Sequence, residues 1–228
     1  MPSIKSNASI TQVQKFCQDV YALRNDRHFR AWGMVSNVLR FLMRGLKGIR
    51  KGDNLKTKKN LLIALSWFLS IMNQMHIPIE EHIWRRFPYL CSYCGRCPCQ
   101  CKVLKIKKRK KVPVNNRLRP KTLRGFQQIF NEIYPASLRT LEHAGIHLAE
   151  EVGEFSEAVQ AFKGKNTQRE FDMLVLESAD LFSCLMGVFN SLNVDCAQEL
   201  SKIFYKNCLL CHRAPCVCTY ETTMNFKS

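Results

Sequence analysis

Val152-Gly-Glu-Phe155-Ser-Glu-Ala-Val159-Gln-Ala-Phe162 places large apolar residues at steps of +3, +4 and +3, which is one stripe of an α-helix. Leu174, Leu181, Leu185, Val188 and Leu192 form a second stripe at +7, +4, +3 and +4. Between them, Lys163-Gly-Lys-Asn-Thr-Gln-Arg169 reads as a polar turn. An earlier helix is expected over 130–141, interrupted near Pro135. A short last one is expected over 196–206, entered through Asn193-Val194-Asp195. Pro and Gly are few, at 8 and 10, and no period-2 alternation persists, so the expected fold class is all-α.

The cysteines show that this stretch is the second of two copies. Nine of the 12 cysteines fall in two clusters. These are Cys91-Ser-Tyr-Cys94-Gly-Arg-Cys97-Pro-Cys99-Gln-Cys101 and Cys208-Leu-Leu-Cys211-His-Arg-Ala-Pro-Cys216-Val-Cys218. Both read C-x2-C-x4-C-x-C with an Arg-x-Pro in the spacer, offset by 208 − 91 = 117 residues. The offset also matches Phe87 with Phe204, Asn73 with Asn190 and Ser66 with Ser183. A tandem duplication of roughly 14–101 and 128–218 follows, with first-copy helices near 13–30, 31–47, 58–75 and 79–89. The expected architecture is two four-helix-bundle-like units, each followed by a four-cysteine loop. The domains would be 1–101, a basic linker at 102–127, and 128–228.

Four cysteines per loop suit tetrahedral Zn(II) in a structural role, because four thiolates leave no open coordination position. Disulfides and an iron–sulfur cluster are the less favoured alternatives. The expected ligands are Cys91, Cys94, Cys99 and Cys101 in one site, and Cys208, Cys211, Cys216 and Cys218 in the other. Cys97 faces Ala214 in the second copy and is not expected to be a ligand. Cys17, Cys184 and Cys196 are expected to be small core residues.

Charge is divided unequally. Residues 1–129 hold 27 Lys/Arg and 5 Asp/Glu, and the rest hold 35 − 27 = 8 and 18 − 5 = 13. Lys102-Val-Leu-Lys-Ile-Lys-Lys-Arg-Lys-Lys111 joins the copies and is expected to be exposed and extended or disordered. Residues 102–121 could contact nucleic acid, steer anionic nucleotides or merely solubilise, and no aromatic residue is interleaved to stack on bases. The longest apolar run, 61–72, is too short to span a bilayer, and the polar start of the chain lacks an apolar signal core. A cytoplasmic protein without membrane contact is expected.

The second copy concentrates carboxylates. Glu150, Glu154 and Glu157 share a narrow sector at about 100° per residue, and Glu151 lies nearer the apolar stripe. No Lys or Arg intervenes from 150 to 162, although like charges at this spacing repel. Glu177 sits on the second stripe itself, with Asp180 one turn on. Inward carboxylates are costly unless they are paired or metal-bound. In the first copy Glu177 becomes Asn60, Asp180 becomes Ile63, and the Glu-rich stretch becomes Met34-Val-Ser-Asn-Val-Leu-Arg-Phe41. Where the acids are absent the positions turn apolar or neutral, so the acids serve chemistry rather than folding. Glu151, Glu154, Glu177 and Asp180 would form an oxygen cage for Mg(II) or Mn(II). Glu157 alone reads as a solvated acid. The cage requires these oxygens to converge, away from bulk solvent and not neutralised by arginines.

The pattern E-E-x-x-E, 22 residues, E-x-x-D resembles the MazG-like all-α nucleoside triphosphate pyrophosphohydrolases. Leu148-Ala-Glu-Glu-Val-Gly-Glu-Phe-Ser-Glu-Ala158 and Glu177-Ser-Ala-Asp-Leu-Phe-Ser-Cys-Leu-Met186 are similar to that family's two metal-binding helices. Asn193-Val-Asp195, Lys202 and Lys206-Asn207 resemble the segment that follows. The resemblance covers 130–207. It implies Mg(II)-dependent cleavage of the α–β bond of an NTP or dNTP to a monophosphate and pyrophosphate. It further implies Glu150 as an added metal ligand or water-orienting base, and Lys202, Lys206 and Asn207 as phosphate contacts. Lys163, Lys165 and Arg169 are weaker phosphate candidates. The first copy, with Tyr89 and Leu90 opposite Lys206 and Asn207, would be a silent partner. A homodimer, four repeats in all, is the expected assembly. The rival expectation is a zinc-stabilised nucleic-acid-binding or regulatory protein on the same fold, motivated by the basic half.

Overall fold

In the computed structural model, residues 2–228 are described except Lys107 and Lys111, so those two members of the basic run lie outside the described residues. All regular structure among the described residues is helical. The main helices are α1 (Ile10–His28), α2 (Ala31–Arg50), α3 (Asn54–Gln74), α4 (Ile79–Arg86), α5 (Cys101–Leu104), α6 (Leu123–Ile133), α7 (Leu141–Lys165), α8 (Gln168–Ser191), α9 (Cys196–Ile203) and α10 (Tyr220–Asn225).

Local signals account for their ends. Ser9 and Gln12 form a capping box at α1. Asp53, Thr122, Thr140 and Asp195 each accept an N–H in the first turn of α3, α6, α7 and α9. The helix expected over 130–141 is broken at Pro135, as expected, and its α-helical part is the end of α6, which begins earlier, at Leu123. Pro135 cannot donate to the helical ladder, so α6 stops at Ile133, a 3-10 turn covers Ala136–Leu138, and α7 starts at Leu141. The polar turn at 163–169 ends α7, with Asn166 in the left-handed region at φ 51°. Pro88 lies just beyond the end of α4, which stops at Arg86, three residues short of the expected boundary.

The compact units differ from the division 1–101, 102–127 and 128–228. Unit 1 comprises the chain up to Pro78 together with Asp195–Ser228, and unit 2 is Ile79–Val194. Each repeat therefore contributes three long helices to one unit, and its fourth helix and cysteine loop to the other. In unit 1, α2 packs on α3, α1 on α3, and α9 on α3; in unit 2, α7 packs on α8, and α4 and α6 pack on α8.

The units repeat one another in detail. In unit 1 Gln14 donates to Ile77 O at 2.8 Å and Asn73 donates to Gln14 O at 2.9 Å. In unit 2 Gln127 donates to Val194 O at 2.8 Å and Asn190 donates to Gln127 O at 3.1 Å. The cores match as well: Phe16 meets Phe204 at 5.8 Å between ring centroids, and Phe87 meets Phe130 at 5.2 Å.

The linker is more ordered than its charge suggests. Leu123 and Phe126, inside the expected linker, are buried on α6. Arg119 pairs with Glu80 at 3.1 Å and with Glu81 at 2.5 Å, and Trp84 donates to Asn116 at 2.8 Å. No carboxylate is near this segment in sequence; the partners come from α4. No single helix among the described residues is long and apolar enough to cross a membrane.

Candidate functional site

The carboxylates lie in unit 2, between α7 and α8. Leu148, Val152, Phe155 and Val159 of α7 and Leu174, Leu181, Leu185 and Val188 of α8 are buried as the two stripes predict. That packing turns the neighbouring acids toward one another. Glu151, Glu177 and Asp180 each offer an oxygen, and the three atoms lie within 4.8 Å of one another. Glu154, expected as a fourth member, is exposed and lies outside this converging group, though its charge helps raise Glu177. Glu150 and Glu157 face solvent.

Three acids this close cannot all ionise at ordinary cost. Burial, then the charges of Asp180, Glu154 and Glu177, push Glu151 up from 4.5 to about 7, with Arg86 opposing. Burial, then Asp180 and Glu154, also raise Glu177. Oε2 of Glu151 is buried without a hydrogen-bond partner.

The expectation of a cluster free of arginine does not hold for one member. Arg86 of α4 grips Asp180 through both guanidinium edges, Nε to Oδ1 at 3.0 Å and Nη2 to Oδ2 at 2.5 Å. The side chains are 11% and 12% exposed. Arg109 of the linker follows at 3.9 Å and is half exposed. The same guanidinium also lowers Glu151 and Glu177 through its charge, but burial and the neighbouring acids outweigh it and both remain raised. Arg86 was missed although a signal existed: it falls three residues after the buried Ile83, on the inward side of α4, and its counterpart in the second copy is Ile203.

Lys202, Lys206 and Asn207, the expected phosphate contacts, belong to unit 1, and the acids belong to unit 2. Lys202 pairs with Glu199 at 2.6 Å, which also holds Lys58 at 2.6 Å. Lys206 lies over the Tyr205 ring, and Asn207 is buried in the left-handed region at φ 70°. The cations around the carboxylates come instead from α4 and the linker. Lys163, Lys165 and Arg169 flank the α7–α8 turn, where Lys165 meets Glu170 at 3.5 Å.

The corresponding place in unit 1 holds no acids and is covered by the chain end. Arg40 donates to the carbonyls of Thr223, Met224 and Phe226, Phe226 lies against Phe41, and Ser228 hydrogen-bonds Asn60.

The two cysteine loops gather their thiols tightly. Sγ separations are 3.7 Å for Cys91–Cys101 and 4.0 Å for Cys94–Cys99 in unit 2. They are 3.8 Å for both Cys208–Cys218 and Cys211–Cys216 in unit 1. A tetrahedral ion with sulfur bonds of about 2.3 Å has sulfur–sulfur edges of about 3.8 Å. Disulfides are absent, and all 12 cysteines are free. Backbone N–H groups of Tyr93, Gln100, Leu210 and Cys218 point at the sulfurs at 3.4–3.5 Å, as thiolates require. The Cys216 thiol, followed by backbone N–H groups against burial, holds Cys208 down to about 4, while Cys216 itself is raised. Cys97 is exposed, and Cys17 and Cys196 are buried, as expected; Cys184 is only partly buried. Each loop is pinned to its unit by one equivalent bond, Cys99 N–H to Ile133 O at 2.8 Å and Cys216 N–H to Val20 O at 2.7 Å.

A pH dependence follows from Glu151. Its folded pKa lies above its unfolded one, so the native state binds more protons between about 4.5 and 7. Without added divalent cation, the contribution of Glu151 to stability is therefore fully present below about pH 4.5 and is lost as pH rises through about 7. Thermal melts from about pH 5 to 8 in the presence of a chelator too weak to strip the cysteine sites should show this slope, and Glu151→Gln should flatten it.

Compared with protein-family models, with curated proteins and with solved structures, the chain finds no match.

Proposed function

We propose that unit 2 carries a Mg(II)-dependent nucleoside triphosphate pyrophosphohydrolase site of the MazG-like kind, and that the two cysteine loops hold structural Zn(II). The observation that carries the reading is the convergence of Glu151, Glu177 and Asp180 with a buried, unpartnered Glu151 oxygen. Hard oxygen donors in such a cluster suit Mg(II) or Mn(II). These three residues and Glu154 would hold the ion, which supplies Lewis-acid charge at phosphate oxygens. Glu150, on the solvent side, would be a further metal ligand or would orient or deprotonate the attacking water. Burial of α7 against α8 fixes these side chains on rigid helices, which limits the reorganisation needed to reach the reactive geometry.

The test is a pyrophosphate-release screen over NTPs and dNTPs with Mg(II) and Mn(II). Release from at least one nucleotide is expected, and none across the full panel overturns the reading. The Arg86–Asp180 pair and the exposed Lys102, Lys105, Lys108 and Lys110 favour a second reading, a nucleic-acid-binding or regulatory protein that has retired its catalytic site. A silent screen combined with salt-dependent RNA or DNA binding, lost on neutralising that run, would establish it.

A further inference from the structure

A cleft of about 400 Å³ opens in unit 2 on the α4 side of α8, within the size range of small-molecule sites. Three cations line it, Arg85 and Arg86 from α4 and Lys110 from the linker, against one acid, Asp172. Phe171 and Val175 supply an apolar wall, with the Phe171 ring edge-on to Phe162 at 5.6 Å. The linker is seated rather than loose at this point. Lys110 N–H donates to Tyr93 O at 3.1 Å, and Arg109 lies over the Tyr93 ring at 5.8 Å, so the first cysteine loop carries the strap. Arg86 belongs to both places: it is among the residues that line the cleft, and its guanidinium grips Asp180 of the carboxylate cluster.

Arg86 and a divalent ion compete for the same carboxylate. The bidentate pair engages both Asp180 oxygens and places a positive charge where a cation would bind. A phosphate chain offers the guanidinium an equally good forked acceptor. We infer that the cleft receives the polyphosphate chain of a nucleotide on Arg86 and Lys110, and that Arg86 is an exchangeable counter-ion that leaves Asp180 for phosphate and thereby frees it for the metal. Metal and polyphosphate then strengthen each other's binding, as reciprocal linkage requires. The apolar wall at Phe171 is left for the base. This inference rests on the carboxylate-site reading above, deepens it by assigning the phosphate contacts, and gives the basic linker a nucleotide rather than a nucleic acid as its ligand.

The experiment uses the full zinc-loaded chain and two separate probes, Mn(II) alone and inorganic tripolyphosphate alone in divalent-free buffer, each titrated calorimetrically. Arg86→Gln should tighten Mn(II) by about tenfold, the scale on which neighbours of metal ligands act. The same variant should weaken tripolyphosphate by about tenfold. Lys110→Gln should weaken tripolyphosphate and leave Mn(II) unchanged. Effects of opposite sign from one substitution cannot come from damage to the fold. Arg86→Lys, which keeps the charge but loses the fork, should fall between wild type and Arg86→Gln on both probes and serves if the glutamine variant does not fold. Weaker or unchanged Mn(II) binding in Arg86→Gln overturns the exchange, as does unchanged tripolyphosphate binding. Adding Glu151→Gln to Arg86→Gln separates the two claims. If Mn(II) binding survives that double change undiminished, the carboxylate site itself is refuted. If it is lost while Arg86→Gln alone has no effect, only the exchange fails.

Discussion

Glu177→Ala should lower pyrophosphate release by about a thousandfold or more while leaving the protein at least as heat-stable as wild type. Losing one ligand of the ion removes about 4 kcal/mol of transition-state stabilisation, and each 1.36 kcal/mol is about tenfold in rate. The stability half of the expectation has a separate origin. Glu177 is raised in pKa first by burial and then by Asp180 and Glu154, so its charge opposes folding when no cation is present. Removing it relieves that repulsion. Function and stability therefore move in opposite directions, the pattern of a residue kept for chemistry. Asp180 is the poorer choice, because Asp180→Ala strands the nearly buried Arg86 without its partner and confuses activity with folding. The measurement is a steady-state rate beside a thermal melt. A variant that keeps its activity, or that loses activity only by unfolding, would count against the site.

Cys211→Ser should destabilise the protein by about 4 kcal/mol or more, since binding energy at a structural zinc site is folding energy. At roughly 4 °C per kcal/mol for a unit of this size, the melting transition assigned to unit 1 should fall by about 15 °C. Cys94→Ser should do the same to unit 2. Cys97→Ser, at the exposed fifth cysteine without a counterpart, should change little. Metal analysis on the same samples should give about two zinc per wild-type chain and about one in either ligand variant. The location of the damage is the discriminating feature. Cys211 follows the acid-bearing helices in sequence, yet its loop is pinned to α1 through Val20; Cys94 precedes those helices, yet its loop is pinned to α6 through Ile133. Hydrogen exchange should show Cys94→Ser, not Cys211→Ser, loosening α7 and α8. The reverse assignment would refute the exchange of loops between units.

Part of this site was legible before any coordinates. Glu151 and Glu154 stand out because no Lys or Arg relieves them, and Glu177 because it interrupts an apolar stripe; all three are local, periodic signals. The comparison of the two copies added Asn60 and Ile63 as an internal control. Arg86, an arginine where the other copy has Ile203, went unremarked, and nothing local says which carboxylate it would meet. Lys202, Lys206 and Asn207 were expected to meet phosphate on the strength of the family resemblance; they fold into unit 1 and the acids into unit 2. The linker was read from its charge alone. Its anchors, Glu80 and Glu81 for Arg119, and Tyr93 for Lys110, are distant in sequence and therefore invisible to composition.

What this sequence determined by itself is whatever depends on spacing over a few residues. That includes the helices, through the 3.6-residue period and their caps, the two four-cysteine groups, through C-x2-C-x4-C-x-C, and the inward turn of Glu151, Glu177 and Asp180. Tertiary structure alone decided which fourth helix closes which bundle. Both copies present nearly the same apolar face, and each fourth helix follows a left-handed turn residue, His76 or Asn193, that re-aims the chain. The short apolar faces, Ile79, Ile83 and Trp84 on α4 and Cys196, Ala197 and Leu200 on α9, name no partner in the local pattern, and long-range packing makes the choice. That choice delivers Arg86 to Asp180.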